Sequence, residues 1–319
     1  MAQLNKSPSI NNPDLFDDTQ CPVCNGLKFT VLKEATYTSG INEDNLLKLY
    51  SASSHSGLLD QVVKCKSCDS VYLNPRPKQD IIIKSYQDAI DPVFVEQNDA
   101  RIATFRRSLE NLERRHGFSA SSHPKILDVG CAGGAFLRAA SDRGYEAIGI
   151  EPSRWMVDHA RNKLGVDARQ GILTANSFQN NSFDIVSLWD VLEHLPEPSM
   201  TLDDIAQMLK PGGFLIVNYP DIGSLAARVL GGRWPFWLSV HLTYYTRQTI
   251  RKQLNQCGFD VVSIKPYFQS LKLGYALERA SVIFKPFSIL GSLVNLCRFQ
   301  SVPIRYNMGQ TLVLARKRA

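Results

Sequence analysis

Two pairs of cysteines near the start of the chain have the spacing of metal ligands. Cys21 and Cys24 form one Cys-x-x-Cys pair, and Cys65 and Cys68 form a second pair, with 40 residues between the two. Each pair can present two thiolates to one ion, and zinc in structural sites prefers four tetrahedral ligands. The pattern therefore predicts one structural zinc. Four buried free thiols are an alternative; a redox dithiol is disfavoured because neither pair opens a helix in a βαβ pattern.

A second chemical unit is a strand, a glycine-rich turn and a helix in the middle of the chain. Residues 126–130 read as a buried strand, Cys-Ala-Gly-Gly follows at 131–134, and apolar residues at helical spacing continue over 135–143. Glycine allows the backbone to approach a ligand closely. A further strand is predicted over 146–150, and Glu151 follows it. This order is typical of nucleotide-binding α/β proteins.

Four residues of this unit are candidate cofactor ligands. Gly130 and Gly133 shape the turn, and Glu151 lies about 20 residues past it, where an acidic side chain accepts hydrogen bonds from ribose hydroxyls. Asp128 precedes the first glycine by two residues. A carboxylate there would repel a pyrophosphate but suits the ammonium group of a methionine moiety. These residues, with the spacing Gly-x-x-Gly-Gly, favour S-adenosylmethionine over a dinucleotide.

Four ordered motifs resemble those of the class I S-adenosylmethionine-dependent methyltransferases. Leu-Asp-Val-Gly-Cys-Ala-Gly-Gly at 127–134 and Gly-Ile-Glu-Pro at 149–152 are similar to the first two motifs. Residues 183–195 resemble the fourth-strand motif, and Leu-Lys-Pro-Gly-Gly at 209–213 resembles the turn into the fifth strand. The resemblance runs from Lys125 to about Phe268. It implies a Rossmann-like α/β sheet of seven strands, of which the last is antiparallel.

The fourth-strand motif adds two candidates for cofactor binding, Trp189 and Asp190. The chain departs from the family at one point, because many relatives carry Gly-Asp where this chain has Gly171-Ile172. We therefore expect backbone contacts, and not a carboxylate, near the adenine amino group. The sixth strand is predicted over 259–267 and the seventh over 311–316.

The methyl acceptor is expected beyond the ends of strands four and five, because ligands of open α/β sheets bind at the carboxyl ends of the strands. Residues 221–245, which combine glycines with aromatic side chains, are predicted to form a lid; an ordinary packed loop is the alternative. A hydroxyl or carbon acceptor needs a base, whereas a neutral amine does not. His241 and His194 are the candidate catalytic bases, and a structural role is the alternative for each.

The order of these motifs indicates three parts of the chain. Residues 1–18 are predicted to be a flexible tail without a signal-peptide pattern, residues 19–97 a zinc-binding module, and residues 98–319 the methyltransferase domain. A helix is predicted over about 98–115, and its arginines are interpreted as a solvated face. They are Arg101, Arg106, Arg107, Arg114 and Arg115.

A helical insertion is predicted over 269–310, before the last strand. Its large apolar side chains and interleaved basic residues fit a pair of core helices, but also a segment that rests on anionic lipid. The net charge of the chain is +6, yet residues 228–319 contain 14 basic and 2 acidic residues. The remaining residues are net negative. A local positive field of this kind predicts an anionic partner at one face.

The expected location is cytoplasmic and peripheral to the inner membrane. Seven cysteines, an odd number with four of them in the two pairs, favour metal binding in a reducing compartment over disulfides. The sequence also lacks the roughly 18 consecutive apolar residues that a membrane-spanning helix needs.

As a whole, the chain resembles zinc-containing bacterial methyltransferases of glycan and deoxysugar biosynthesis. That resemblance implies a sugar hydroxyl or carbon as the acceptor, carried on an anionic nucleotide or a lipid-linked pyrophosphate. An RNA methyltransferase with a zinc module is the first alternative, but the negative charge of the region that contains the module makes RNA an unlikely partner. A non-catalytic cofactor-binding protein is the second, and the intact set of Asp128, Gly130 and Glu151 disfavours it.

Overall fold

The computed structural model describes residues 12–37, 41–51, 57–117, 123–277, 294, 296 and 298–318. We number the strands and helices of this part in chain order. The strands are β1 (Phe16–Asp17), β2 (Phe29–Lys33), β3 (Val62–Cys65), β4 (Val71–Leu73), β5 (Arg76–Pro77), β6 (Lys125–Val129), β7 (Glu146–Glu151), β8 (Asp167–Gln170), β9 (Phe183–Trp189), β10 (Leu209–Pro220), β11 (Thr243–Tyr244), β12 (Phe259–Pro266), β13 (Gln269–Lys272), β14 (Pro303–Tyr306) and β15 (Gln310–Lys317). The α-helices are α1 (Glu43–Tyr50), α2 (Gln79–Gln87), α3 (Pro92–Val95), α4 (Asn98–His116), α5 (Ala135–Ser141), α6 (Arg154–His159), α7 (Pro198–Met208), α8 (Leu225–Leu230) and α9 (Arg247–Gln256).

The central sheet has seven strands in the order β12-β15-β10-β9-β6-β7-β8. β15 is antiparallel to both of its neighbours, β10 and β12, whereas the pairings β10–β9, β9–β6, β6–β7 and β7–β8 are parallel. The strand order reverses direction between β6 and β9, which is the topological switch point where such sheets bind ligands. The predicted seven-stranded, mostly parallel Rossmann-like sheet is confirmed.

Alternating apolar side chains bury both faces of this sheet. In β9, Val186 and Leu188 pack in the same core cluster as residues of α7 and α9, whereas Ile185 and Trp189 pack with residues of α4 and α5. Successive side chains of a strand point to opposite faces, so helices must cover both sides of β9. This packing fixes the ends of β6, β7 and β9 relative to one another.

The N-terminal segment forms a second sheet that includes a strand from the far half of the chain. Its order is β11-β4-β3-β2, and Thr243 of β11 pairs with Tyr72 of β4. A common apolar cluster joins Tyr50 and Leu73 of the N-terminal segment to Trp234 and Tyr244. The predicted zinc-binding module and the predicted lid therefore share a sheet and a core, and any lid motion would have to separate them.

The predicted helix over 98–115 is observed as α4, which ends at Gly117 in a left-handed conformation. The interpretation of its arginines as a solvated face is wrong for Arg101, whose guanidinium stacks on the Phe94 ring, 4.2 Å from its centroid, and whose Nε is buried. Arg107 is exposed, although it also donates to Ser270 Oγ at 2.6 Å. The reason is that α4 packs against both α5 and β13.

Only the base of the predicted insertion lies within the described residues. β13 and β14 pair in antiparallel fashion, and residues 273–277 are helical. Most of the segment between them, on which the prediction of a helical insertion depends, lies outside the described residues. None of the helices in the described part of the chain has the length and apolar character of a transmembrane span.

Candidate active site

The glycine turn after β6 has no room for side chains. Gly130 has a φ of 69°, and a Cβ on it would lie 2.6 Å from Val191 Cγ2. The Gly130 amide donates to the carbonyl of Ile150 at 2.8 Å, which ties the turn to the end of β7. A Cβ on Gly133 would lie 2.8 Å from Val95 Cγ1 in α3. The turn is therefore a close-fitting backbone cradle at the switch point.

Glu151 lies beside this cradle and is held by backbone amides. Its Oε2 accepts from the Ala132 amide and its Oε1 from the Ser153 amide, both at 2.9 Å. Burial raises the pKa of Glu151, and the two amide hydrogen bonds oppose that rise. A carboxylate offers about four lone-pair positions. Two of them remain available to hydroxyl groups of a ligand.

Two further carboxylates that are predicted to bind the cofactor lie at the carboxyl ends of β6 and β9. Asp128 is buried and accepts from Ser187 Oγ at 2.6 Å. Burial raises its pKa to about 8, against the effects of Ser187 and of the Arg101 charge. Asp190 has a φ of 55° and accepts from Gln310 Nε2 at 3.1 and 3.3 Å. Burial also raises the pKa of Asp190, so a cation beside either acid would favour its charged form.

Arg101 is a residue of this site that sequence reasoning missed. It lines a small cavity together with Trp189, Asp190 and Tyr267. Its Nε is buried and has no hydrogen-bond partner among the described residues. Its positive charge lowers the pKa of both Asp128 and Asp190. A cation beside two carboxylates is complementary to the ammonium and carboxylate of an amino acid.

The Trp189 side chain lies on the core side of that cavity. Its ring centroid is 4.9 Å from that of Phe105, 5.2 Å from that of Phe136 and 5.5 Å from that of Tyr267. These tilted and edge-on contacts are favourable aromatic geometries. Trp189 therefore supports the floor of the predicted cofactor cleft through packing.

The predicted bases His194 and His241 meet at the other end of the site, with ring centroids 4.8 Å apart. The Nδ1 atom of His194 lies 2.8 Å from the Val240 carbonyl oxygen, and that of His241 lies 2.8 Å from the Phe236 carbonyl oxygen. A carbonyl only accepts, so each Nδ1 carries the hydrogen and each Nε2 is left with a free lone pair. Both imidazoles are thus oriented as neutral bases.

Glu193 completes a cluster of acceptors with these two histidines. One carboxylate oxygen of Glu193 and one ring nitrogen of each histidine lie within 4.8 Å of one another. Neither oxygen of Glu193 has a hydrogen-bond partner among the described residues, although the side chain is almost completely buried. Three groups that can accept a hydrogen bond therefore lie together, and Glu193 has no partner for either oxygen among the described residues. Such a place fits a proton, a hydroxyl group or a cation.

Burial affects the protonation of all three groups. It lowers the pKa of His194 to about 4. Burial, and then the charge of His194, lowers the pKa of His241 well below its usual range. Burial and repulsion by Asp190 raise the pKa of Glu193. Both histidines are therefore neutral at pH 7, as a general base must be.

Tyr86 is a second residue that sequence reasoning missed. Its hydroxyl lies 2.8 Å from His194 Nδ1, and its ring packs edge-on against that histidine. Tyr86 belongs to α2, more than 100 residues before His194 in the chain, and no local pattern links the two. The N-terminal segment thus contributes directly to the acceptor end of the site.

The comparison with known families identifies the domain. A family described as "Methyltransferase domain" matches residues 95–264, just over half of the chain. The chain belongs to this methyltransferase family. It is an S-adenosylmethionine-dependent methyltransferase, and S-adenosylmethionine is its cofactor. The residues at the cradle are suitable for it: the turn excludes side chains, and Glu151, Asp128 and Arg101 match its hydroxyl, ammonium and carboxylate groups.

Individual relatives are similar to parts of this methyltransferase. The "Ubiquinone biosynthesis O-methyltransferase" of Idiomarina loihiensis is 36% identical over 171 residues, which are 50% of this chain and 70% of that protein. The protein of the same description from Azoarcus sp. is 38% identical over 95 residues, which are 28% of this chain and 41% of that protein. The chain thus spans about two fifths of the length of the second relative.

Among solved structures, a SAM-dependent methyltransferase from Archaeoglobus fulgidus aligns with 71% of this chain and all of its own, at 18% identity and a TM-score of 0.47. Phosphoethanolamine N-methyltransferase 2 from Haemonchus contortus, in complex with S-adenosyl-L-methionine, aligns with 78% of this chain and 63% of its own. The identity is 17% and the TM-score 0.47.

The four predicted zinc ligands of the methyltransferase lie together in the N-terminal segment. Cys21 Sγ is 3.5 Å from Cys68 Sγ, and Cys24 Sγ is 3.6 Å from Cys65 Sγ. All four sulfur atoms are within 4.8 Å of one another. A Zn–S bond of about 2.3 Å in tetrahedral geometry requires sulfur atoms slightly less than 4 Å apart. The donor set and its spacing therefore fit a zinc ion.

Proposed function

We propose that this methyltransferase transfers a methyl group to a hydroxyl oxygen of a glycan on an anionic carrier, either nucleotide-linked or lipid-linked. The observation that carries the proposal is the cluster of Glu193, His194 and His241, in which neither oxygen of Glu193 has a hydrogen-bond partner among the described residues. A hydroxyl group can bond to this cluster, and its methylation needs a base. A neutral amine has no need of a base. The relatives described as O-methyltransferases also support oxygen as the acceptor atom.

At the cofactor end, the residues of this chain bind and orient. Glu151 would hold the ribose hydroxyls, Asp128 and Asp190 would hold the ammonium group, and Arg101 would hold the carboxylate. When bound, S-adenosylmethionine supplies an electrophilic methyl group on a sulfonium. Alignment of the acceptor with that group and exclusion of water provide most of the acceleration in such a reaction.

At the acceptor end, His241 accepts the proton that the hydroxyl loses as its oxygen gains the methyl group. His194 occupies the adjacent position, and the Tyr86 hydroxyl and the Val240 carbonyl fix its ring. The three groups titrate as a coupled set, so the one proton that the hydroxyl loses is held within the cluster until solvent removes it.

We also propose that Cys21, Cys24, Cys65 and Cys68 hold one structural zinc ion. Four thiolates leave no open coordination position, so the ion would stabilise the fold and take no part in methyl transfer. Its effect on the site is indirect. The zinc-bearing segment contains β3 and β4, and β4 in turn pairs with β11, which begins two residues after His241.

The anionic carrier is supported by the distribution of charge. No acidic residue occurs between Asp221 and Asp260, a stretch that contains five basic residues and the acceptor-side histidine His241. A positive field beside the acceptor attracts a pyrophosphate or a phospholipid headgroup. A phenolic hydroxyl is the second candidate acceptor, because the relatives are described by ubiquinone biosynthesis.

The experiment that tests this function is mass spectrometry of methyl incorporation with isotope-labelled S-adenosylmethionine. The purified protein is offered nucleotide-linked sugars, lipid-linked sugars, a phenolic quinone precursor and RNA. Fragmentation of the product then locates the methyl group. We expect it on an oxygen of a carrier-linked sugar. Methylation of carbon, nitrogen or RNA, with no product on any hydroxyl, would contradict the proposal.

A further inference from the structure

An apolar and cationic surface lies on α8, close to the acceptor end of the site. Leu225 and Val229 are one helical turn apart and 77% and 75% exposed. Residues four apart in a helix are neighbours on its surface, so the two side chains form a continuous apolar strip. Arg228 and Arg233 are also exposed. We call these four residues, together with Lys33, the α8 surface.

The cationic side chains of this surface are not used in ion pairs. Among the ion pairs of the described residues, none includes Arg228, Arg233 or Lys33. Lys33 Nζ lies 4.7 Å from the centroid of the Trp237 ring, and 3.9 Å from where a Cβ on Gly232 would be. The whole stretch between Asp221 and Asp260 lacks acidic residues. The α8 surface thus combines exposed apolar groups with positive charges that form no ion pair among the described residues.

We propose that the α8 surface docks on a bilayer that contains anionic lipid, with Leu225 and Val229 in the interface and the cationic groups at the headgroups. Charge complementarity favours this occupant, since a neutral partner would leave the charges unmatched. Apolar burial and attraction to anionic headgroups together produce interfacial binding without a spanning segment. The inference rests on the proposed function in one respect, because it takes the carrier to be lipid-linked.

The position of the α8 surface connects it to the acceptor cluster. Trp237 Nε1 donates to the carbonyl of Gly231, directly after α8, at 3.0 Å. The Phe236 ring is stacked with the His241 ring at a centroid distance of 6.2 Å and an interplanar angle of 20°. The aromatic segment therefore leads from the α8 surface to His241. A headgroup-linked acceptor would reach the base along this segment while its lipid stays in the bilayer.

The test is co-sedimentation of the full-length protein with phosphatidylcholine vesicles, with and without phosphatidylglycerol. We expect binding that requires the anionic lipid and weakens with salt. Arg228→Gln with Arg233→Gln should weaken partitioning about fivefold for each charge removed. Leu225→Ser with Val229→Ser should weaken it about tenfold or more. Met200→Ser, which changes a side chain that is 64% exposed on α7, is the matched control and should change nothing.

Two further measurements separate this inference from the proposed function. Calorimetry with S-adenosylmethionine, and methyl transfer to a short-chain soluble acceptor, should be the same in the Leu225→Ser, Val229→Ser protein as in the wild type. Absence of binding to anionic vesicles at low salt would overturn the docking proposal and leave the methyltransferase intact. So would sedimentation analysis that finds a dimer in the wild type and a monomer in the Leu225→Ser, Val229→Ser protein, because the occupant would then be a second copy.

Discussion

The proposed cofactor end and the proposed acceptor end of the active site are built in different ways. The main residues proposed for the cofactor lie in one run of the chain, from Asp128 to Glu151, where a strand, a turn and a second strand meet. The acceptor end combines three segments, which supply Tyr86, then Glu193 with His194, and then His241. One end is a local motif, and the other exists only after the N-terminal segment has packed onto the domain.

The two ends also differ in charge. Arg101 lies among carboxylates at the cofactor end, which suits a ligand that carries both signs of charge. The acceptor end contains two neutral histidines and a carboxyl group, with no cation in the cluster. Under the proposed function this difference matches the two ligands: the cofactor carries charges, and the acceptor has a proton to be removed.

Loss of a zinc ligand should have the largest effect, because the acceptor end depends on the packing of the N-terminal segment. We expect Cys65→Ser to lose zinc and almost all methyl transfer, because metal-linked folding energies of about 10 kcal/mol exceed the stability of most domains. Metal analysis and turnover assays measure both effects. Cys257→Ser, which changes a buried cysteine outside the cluster, should keep one zinc per chain. An unchanged zinc content in Cys65→Ser would contradict the proposed zinc site.

Glu151→Gln should affect only the cofactor end. The amide keeps the shape of the side chain but loses the charge that strengthens hydrogen bonds to ligand hydroxyls, a loss of about 1.5–3 kcal/mol. Calorimetry should therefore measure a Kd for S-adenosylmethionine that is raised by about one to two orders of magnitude. Glu146→Gln, at the exposed start of the same strand, is the control. Equal affinities in Glu151→Gln and the wild type would contradict the assignment.

Acid should destabilise the acceptor end. Burial lowers the pKa of His194 to about 4, so the unfolded chain, with a pKa of about 6.5, binds more protons between these values. The contribution of His194 is therefore complete above pH 6.5 and is lost as the pH falls towards 4. We expect a loss of about 2 kcal/mol by pH 5.

Chemical denaturation of the wild type and of His194→Asn between pH 5 and pH 7.5 measures this contribution. The comparison is needed because Asp60, whose pKa is raised to about 6 by burial, changes stability in the opposite direction over the same range. The wild type should lose more stability in acid than His194→Asn does. Parallel curves for the two proteins would show that His194 is not held in its neutral form.

Arg101→Met should have the smallest effect, since only one part of the cofactor is involved. Removal of the guanidinium should weaken S-adenosylmethionine binding by about tenfold, the lower range for a hydrogen bond to a charged group. Binding of methylthioadenosine, which lacks the amino-acid moiety, should not change. Arg106→Met, on the exposed side of α4, is the control. An equal loss for both ligands would mean that Arg101 acts through packing against Phe94.

Local patterns were sufficient to predict the sheet and the cofactor unit. The strand predicted over 126–130 is observed as Lys125–Val129, and the strand predicted over 311–316 as Gln310–Lys317. Both are short apolar segments whose burial follows from their own residues. Gly130, Gly133 and Glu151 are also close in sequence, so their proximity could be inferred from a strand, a turn and a helix.

Contacts between distant segments could not be predicted in this way. Tyr86 is one polar aromatic residue on a short helix, and no pattern in the neighbouring sequence indicates a contact with His194. Arg101 belongs to a run of arginines in which only the packing of α4 separates it from Arg106, which pairs with Asp142 at the surface. The addition of β11 to the N-terminal sheet depends on two residues, too few for a periodic signal.

The separation of the two ends is tested most directly by His241→Ala, studied by single-turnover methyl transfer and by calorimetry on the same preparation. A general base typically contributes about 10²- to 10⁴-fold, so the rate should fall by that factor while the Kd for S-adenosylmethionine stays within about twofold of the wild-type value. A rate close to that of the wild type would contradict the account. So would a loss of cofactor affinity as large as the loss of rate, because His241 would then belong to the cofactor end.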